Sequence, residues 1–227
     1  MRSTLKKVPG VRSAYYLGMA LTQMAADQWR EPSSFDSIFS AQPDPWESTS
    51  ASEQERFAVT LSMLEASHRE RFSHAVELGC AEGIFTERIA SLCDELLALD
   101  FSEVALQRAR TRLEGWPGVT FRRWDMRHDP IAGRFDLVVA MGVLTSLYRP
   151  RDVRKMRDAI IDSMEPGGFL LFSDVRQSRV FEEAWWGRLV LRGGEQIRRL
   201  LTRDSRLELV ASADTKSHVF ALYRRTQ

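Results

Sequence analysis

"HAVELGCAEGIFTERIA", residues 74–90, decides the reading of this 227-residue chain. An apolar run ends at Glu77-Leu78, glycines follow at Gly79 and Gly83, and an amphipathic stretch begins at Ile84. Glycine lets backbone pass through positive φ, or approach another group, with no Cβ in the way. A tight strand-to-helix turn carrying two of them brings bare backbone close to a ligand. The flanking chemistry excludes two ligands common at such turns. A Walker loop needs Gly-Lys-Ser/Thr, and Glu82-Gly83-Ile84 supplies neither the lysine nor the hydroxyl. A dinucleotide fingerprint needs G-x-G-x-x-G with a pyrophosphate at the helix start. Here the spacing is Gly79-x-x-x-Gly83, and the carboxylates of Glu77 and Glu82 repel a pyrophosphate. The turn suits a neutral or cationic ligand that offers hydroxyls and an amine.

Downstream, apolar runs of strand length fall at 75–78, 95–99, 119–122, 135–141 and 168–173, with helical stretches at 84–93, 103–113 and 152–164. Strand–helix alternation with apolar strands predicts a parallel sheet covered on both faces. Two last strand-like runs, 207–213 and 218–224, are joined by "DTKS" and predict an antiparallel pair at the sheet edge. Ligands of such sheets sit outside the carboxyl ends of the strands. "LLALD" ends there in Asp100, whose carboxylate can accept both hydrogens of a ribose diol. "RRWDM" puts Asp125 where it can meet an adenine amino group, with Phe101 and Met126 placed to sandwich the ring. Together these residues ask for an adenosine without phosphates.

"VELGCAEGIFTERIA", "LLALDFS", "WDMR", "FDLVVAMGVLTSL" and "MEPGGFLLFSD" resemble, in order and spacing, the class I S-adenosylmethionine-dependent methyltransferases over about residues 72–175. The resemblance implies a three-layer, Rossmann-like α/β fold: a seven-stranded, mostly parallel sheet with a C-terminal antiparallel strand. It implies S-adenosyl-L-methionine as cofactor, held by Glu77, Gly79, Cys80, Ala81 and Gly83 of the turn, Asp100 and Phe101, Asp125 and Met126, and Met141 at the end of the fourth strand. At Cys80 the backbone matters rather than the thiol. Upstream, "FDSIFSAQPDPWE…SEQERFAVTLSML", about residues 35–64, resembles the lid segment of the nodulation-protein-S-like methyltransferases, which N-methylate an amino sugar of a chitooligosaccharide. That pattern commonly has a tyrosine before the Glu-Gln pair, and Ser52 stands there instead. The expected division is an N-terminal helical lid segment, 1–71, and a methyltransferase domain, 72–227. On the lid, Arg56 matches a basic position of the family and is the candidate for holding the cofactor carboxylate through a bidentate contact.

Residues 31–50, rich in Pro, Ser and Asp, predict a loop anchored by Phe35, Phe39 and Trp46. A helix is expected from Ser52, with Glu55 completing a capping box. "AMGVLTSLY" faces the reacting methyl in this fold, and Gly142 occupies a position that is acidic in many relatives, which removes the most obvious base. Methyl transfer from a sulfonium is an in-line displacement, for which alignment supplies much of the rate. A neutral amine needs nothing more, whereas a sugar hydroxyl wants a base or a metal. Tyr148, Asp174 and Glu53 are the catalytic candidates. The four histidines, His218 on the C-terminal hairpin among them, show no metal-ligand spacing, and there is no cysteine cluster, so no metal is expected.

A net charge of +1 gives no electrostatic case for nucleic acid, and "MGVL" fills the slot of the NPPY-type turn of nucleic-acid methyltransferases. Cys80 and Cys93 suit a reducing cytosol, and a cytoplasmic protein is expected. Residues 11–29 fit helical spacing approximately. With Arg2, Lys6, Lys7 and Arg12 upstream, they admit a peripheral membrane contact, a cap over the domain or a homodimer contact. The expected partner is a small-molecule acceptor: an amino sugar, a glycoside or a secondary metabolite. The alternative is a non-catalytic, cofactor-binding scaffold in a biosynthetic complex, motivated by Gly142 and Ser52.

Overall fold

A computed structural model describes residues 32–147, 150–176 and 193–226. Tyr148 and the expected helix at 11–29 lie outside the described residues. Seven strands form one sheet in the order β3-β2-β1-β4-β5-β7-β6. They are β1 (Phe72–Leu78), β2 (Cys93–Asp100), β3 (Val119–Arg123), β4 (Phe135–Met141), β5 (Met164–Val175), β6 (Leu207–Asp214) and β7 (His218–Arg225). The first five pair in parallel, and β7 runs antiparallel to both β5 and β6. The described helices are α1 (Pro32–Ala41), α2 (Ala51–Glu65), α3 (Ile84–Ala90), α4 (Glu103–Arg112), α5 (Pro150–Ser163) and α6 (Gly194–Thr202).

The central strands are apolar on both faces because both faces are covered. Val138, Leu170 and Ala221 pack with Ile160 and Ile161 of α5 and with Ile197 and Leu201 of α6. Val139, Leu171 and Leu222 pack with Phe57 and Leu64 of α2 and with Ile89 of α3. The result is the three-layer α/β architecture expected from the alternation. β1 lies between β2 and β4, so the strand order reverses there, and a crevice opens above its carboxyl end.

Three local expectations are corrected. Residues 32–41 form α1, not a loop, because Phe35, Ile38 and Phe39 share one helical face and Phe39 is fully buried. α1 rests on α4 through a hydrogen bond from Ser102 Oγ to Asp36 Oδ1, 2.5 Å, and the edge-on meeting of Phe35 and Phe101. The cap of α2 is Ser50, not Ser52, with its Oγ accepting the Glu53 N–H at 3.4 Å. Glu53, not Glu55, stands three residues after the cap, and its carboxylate pairs with Arg56 instead of returning to the cap. β5 begins at Met164, four residues before the expected run at 168–173, and takes "PGG" into itself. The register slips between the pairs Phe135–Met164 and Leu137–Phe169, which is a bulge.

Gly83, the N-cap of α3, has φ 77°, and a Cβ there would lie 2.9 Å from Leu113 Cδ1 and 3.0 Å from Ala109 Cβ. Its missing side chain lets α3 abut α4. Gly83→Ala is expected to destabilise the fold by about 2 kcal/mol, through overpacking and left-handed backbone together. Urea denaturation checks this: the midpoint should fall with an unchanged slope.

Candidate active site

A cavity of about 580 Å³ crosses the carboxyl ends of β2, β1, β4 and β5, with α1, α2 and the loop between them contributing to its wall. Asp100 stands at one end. Its Oδ2 accepts the Ala81 N–H at 2.8 Å and its Oδ1 the Ser102 N–H at 2.9 Å. Burial raises this carboxyl group's pKa, and the two backbone donors oppose the rise. Each oxygen keeps a lone pair, so the side chain can still accept two hydroxyls. The turn that aims Ala81 at Asp100 has φ 75° at Gly79 and 47° at Ala81, and a Cβ on Gly79 would meet Val143 Cγ2 at 3.1 Å.

Phe101 and Met126 line the same end. The Arg127 guanidinium lies 5.2 Å from the Phe101 ring centroid. Asp125 also lines the cavity, but its carboxylate is gripped by Arg127, with Nε to Oδ1 at 2.9 Å and Nη2 to Oδ2 at 2.8 Å. Burial would raise its pKa, yet the Arg127 fork holds it below the usual carboxylate range. Asp125 thus faces the cavity with its carboxylate shared with Arg127, whose side chain folds back across two residues.

Further along are Glu77, Cys80, Met141 and Gly142. Glu77 is buried, with Oε2 accepting from Thr86 Oγ1 at 2.6 Å. Burial, aided by the Asp100 charge and opposed by the Thr86 bond, pushes its carboxyl up to about 7. Burial likewise pushes the Cys80 thiol well above its ordinary value, which leaves it unreactive. Glu82 ties the loop between α1 and α2 to the turn: its Oε2 accepts the Asp44 N–H at 2.8 Å, and its Oε1 pairs with Arg108 at 2.5 Å. Gly83, also in the expected binding set, is not among the residues that line the cavity and packs against Ala109 and Leu113.

At the far end Arg56 and Glu53 of α2 meet Thr145, Asp174 and His218. Arg56 Nη2 pairs with Glu53 Oε2 at 2.5 Å, while its buried Nε has no hydrogen-bond partner among the described residues. An orphaned buried donor costs about 1–3 kcal/mol. Gly142 makes room for this guanidinium: a Cβ at that position would sit 3.1 Å from Arg56 Nη1. Asp174 is fully buried, with Oδ1 accepting from Thr145 Oγ1 at 2.7 Å and from the Val175 N–H, and Oδ2 accepting the Thr145 N–H at 3.1 Å. It holds the short turn at Leu144–Ser146 and is committed to it.

Sequence reasoning missed His218. It opens β7 opposite Val175, is buried, and its Nε2 lies 3.9 Å from Glu53 Oε1. Burial, and then the Arg56 charge, lower its pKa to about 4. The signal was available: a strand antiparallel to β5 starts at the end of the sheet where β5 finishes.

A cavity lined by the Asp100 carboxylate at one end and the Arg56 guanidinium towards the other has the polar groups to fit an adenosyl amino acid. The family model described as nodulation protein S matches residues 39–214. The chain belongs to the nodulation protein S family. Nodulation protein S of Bradyrhizobium diazoefficiens is 37% identical over 138 residues, 59% of this chain and 63% of that protein, so less than two thirds of its length is spanned. Nodulation protein S of Rhizobium tropici is 29% identical over 192 residues, 81% of this chain and 76% of that one. The crystal structure of the N-methyltransferase NodS from Bradyrhizobium japonicum WM9 in complex with S-adenosyl-L-homocysteine matches with a TM-score of 0.71 and 28% identity, covering 82% of this chain and 94% of that chain.

Glu77 sets a pH dependence. Its folded pKa, about 7, lies above the ordinary 4.5, so its contribution to stability is fully present below 4.5 and is lost as pH rises through 7. In ligand-free protein, the parent should lose on the order of 3 kcal/mol between pH 4.5 and 8 relative to Glu77→Gln. Urea denaturation at a series of pH values reads this difference.

Proposed function

We propose that the protein transfers a methyl group from S-adenosylmethionine to an amine of a saccharide-like small molecule. The observation that carries this reading is the Asp100 carboxylate, buried, braced by two backbone donors and still able to accept a diol at the cavity wall. Asp100 binds the ribose hydroxyls, Phe101 and Met126 flank the base, and Arg56 takes the carboxylate. Glu77 sits where a positive charge on the ligand favours its ionised form. Bound S-adenosylmethionine supplies a methyl on cationic sulfur, which passes in line to a neutral nitrogen.

The far end favours nitrogen over oxygen as acceptor. A hydroxyl needs its proton taken during attack. Asp174 is committed to Thr145, Glu53 is paired with Arg56, Gly142 has no side chain, and His218 is a weak base. An amine that has shed its proton to water needs only alignment. Glu53, Asp152 and Asp174 line this end against the one cation Arg56, among the described residues, and so favour an acceptor that arrives positively charged. An amino sugar fits, and the family resemblance supports it; glycosides and secondary metabolites bearing amines are further members of the class. No helix among the described residues is long and apolar enough to cross a membrane.

Calorimetric titration with S-adenosylmethionine tests the cofactor half. Asp100→Ala should weaken binding about 100-fold, the loss of two hydrogen bonds to a charged acceptor. The acceptor half is tested by transfer of labelled methyl to a chitooligosaccharide with a free non-reducing amine, with its N-acetylated form inert. Tight cofactor binding with no transfer to any amine or hydroxyl would favour the scaffold alternative.

A further inference from the structure

The geometry points to His218 and Glu53 as the pair that holds a hydroxyl next to the reacting nitrogen of the acceptor. This rests on the transferase reading above and adds to it the residues that choose among amines. By strand order the cavity runs from β3 and β2 across β1 and β4 to β5 and β7. With Asp100 on β2 taking the ribose, and Arg56 near Gly142 taking the carboxylate, the acceptor is left the β5–β7 end. His218 and Glu53 face each other there.

The gap of 3.9 Å between His218 Nε2 and Glu53 Oε1 is too long for a hydrogen bond. One oxygen atom about 2.8 Å from each would bridge it. Both partners are set for this. Glu53 Oε2 is occupied by Arg56, which leaves Oε1 for a ligand. Ser217 Oγ lies 3.0 Å from His218 Nδ1. With a carboxylate in front of Nε2, the proton belongs on Nε2 and the serine donates to Nδ1. The pair therefore offers one donor and one acceptor to a single atom.

That demand separates a hydroxyl from the nucleophilic amine. A hydroxyl oxygen can accept from Nε2–H while donating its own hydrogen to Glu53. A reacting nitrogen cannot, because its one lone pair must point at the methyl carbon. The bridging atom is thus a neighbour of the nucleophile, as in a vicinal amino alcohol. His218 kept neutral adds no charge to repel an incoming ammonium. Phe220, its ring centroid 6.3 Å from that of His218, flanks the imidazole.

The test measures initial rates with a chitooligosaccharide bearing a free amine on its non-reducing residue, and with its 3-deoxy analogue, which lacks the hydroxyl beside the aminated carbon. Parent, His218→Ala and His218→Gln are compared, with S-adenosylmethionine affinity measured for each by calorimetry. In the parent, the 3-deoxy analogue should have a KM about 10-fold higher, the loss of one hydrogen bond. His218→Ala should raise the KM of the full acceptor by about the same factor and erase the difference between the two acceptors. Its cofactor affinity should hold within about twofold, and His218→Gln, with an amide N–H near the Nε2 position, should restore most of the discrimination. Discrimination that persists in His218→Ala overturns the assignment, as does cofactor affinity falling in step with acceptor KM. A parent that binds the cofactor and methylates no amine overturns the transferase reading itself, and the assignment with it.

Discussion

The carboxylate of Asp100 accepts the N–H groups of Ala81 and Ser102, and those two hydrogen bonds join three parts of the chain. Ala81 belongs to the glycine turn, Asp100 ends β2, and Ser102 caps α4 by accepting the Ala105 N–H at 3.2 Å. Ala81 pays for its place with φ 47°, a left-handed conformation that costs about 1–2 kcal/mol in a residue with a Cβ. Hydrogen bonds to a charged acceptor contribute about 1.5–3 kcal/mol each, enough to outweigh it. α1 depends on the same node, since Ser102 Oγ donates to Asp36. Moving Asp100 would therefore disturb the turn, α4 and α1 together.

At the other end of the cavity the organising group is Arg56. Its Nη2 holds Glu53, its Nη1 fills the space that Gly142 leaves open, its guanidinium lies 5.5 Å from the Phe57 ring centroid, and its charge helps keep His218 neutral. Its buried Nε is without a partner among the described residues. The glycine at 142 is thus part of an alternative arrangement rather than a simple loss of an acid. A cation from the lid helix occupies that space, and a carboxylate from the same helix turns to His218.

The strands were legible because a sheet buried on both faces demands continuous apolar runs, and 135–141 and 168–173 have few other uses. The end of β2 at Asp100 was legible for the same reason, whereas Asp125 falls two residues beyond β3, which ends at Arg123. α1 was misread because Ser and Asp dominate its composition, although Phe35, Ile38 and Phe39 carry helical spacing. The cap of α2 was misplaced by two residues because Ser50 and Ser52 each precede a glutamate three positions on, and local sequence does not choose between them. Gly83 was read as ligand-facing because the turn motif does not reveal that α4 passes beside it. His218 was passed over because its neighbours, Val175, Glu53 and Arg56, are far away in the chain and meet only when β7 inserts beside β5.

The most direct measurement is a crystal structure of the protein with S-adenosyl-L-homocysteine bound. The expected electron density shows both ribose hydroxyls on Asp100 and the ligand carboxylate on the Arg56 guanidinium, with the sulfur between them opening towards Glu53 and His218. Ribose bound away from Asp100, or a ligand carboxylate out of reach of Arg56, would contradict this placement of the cofactor.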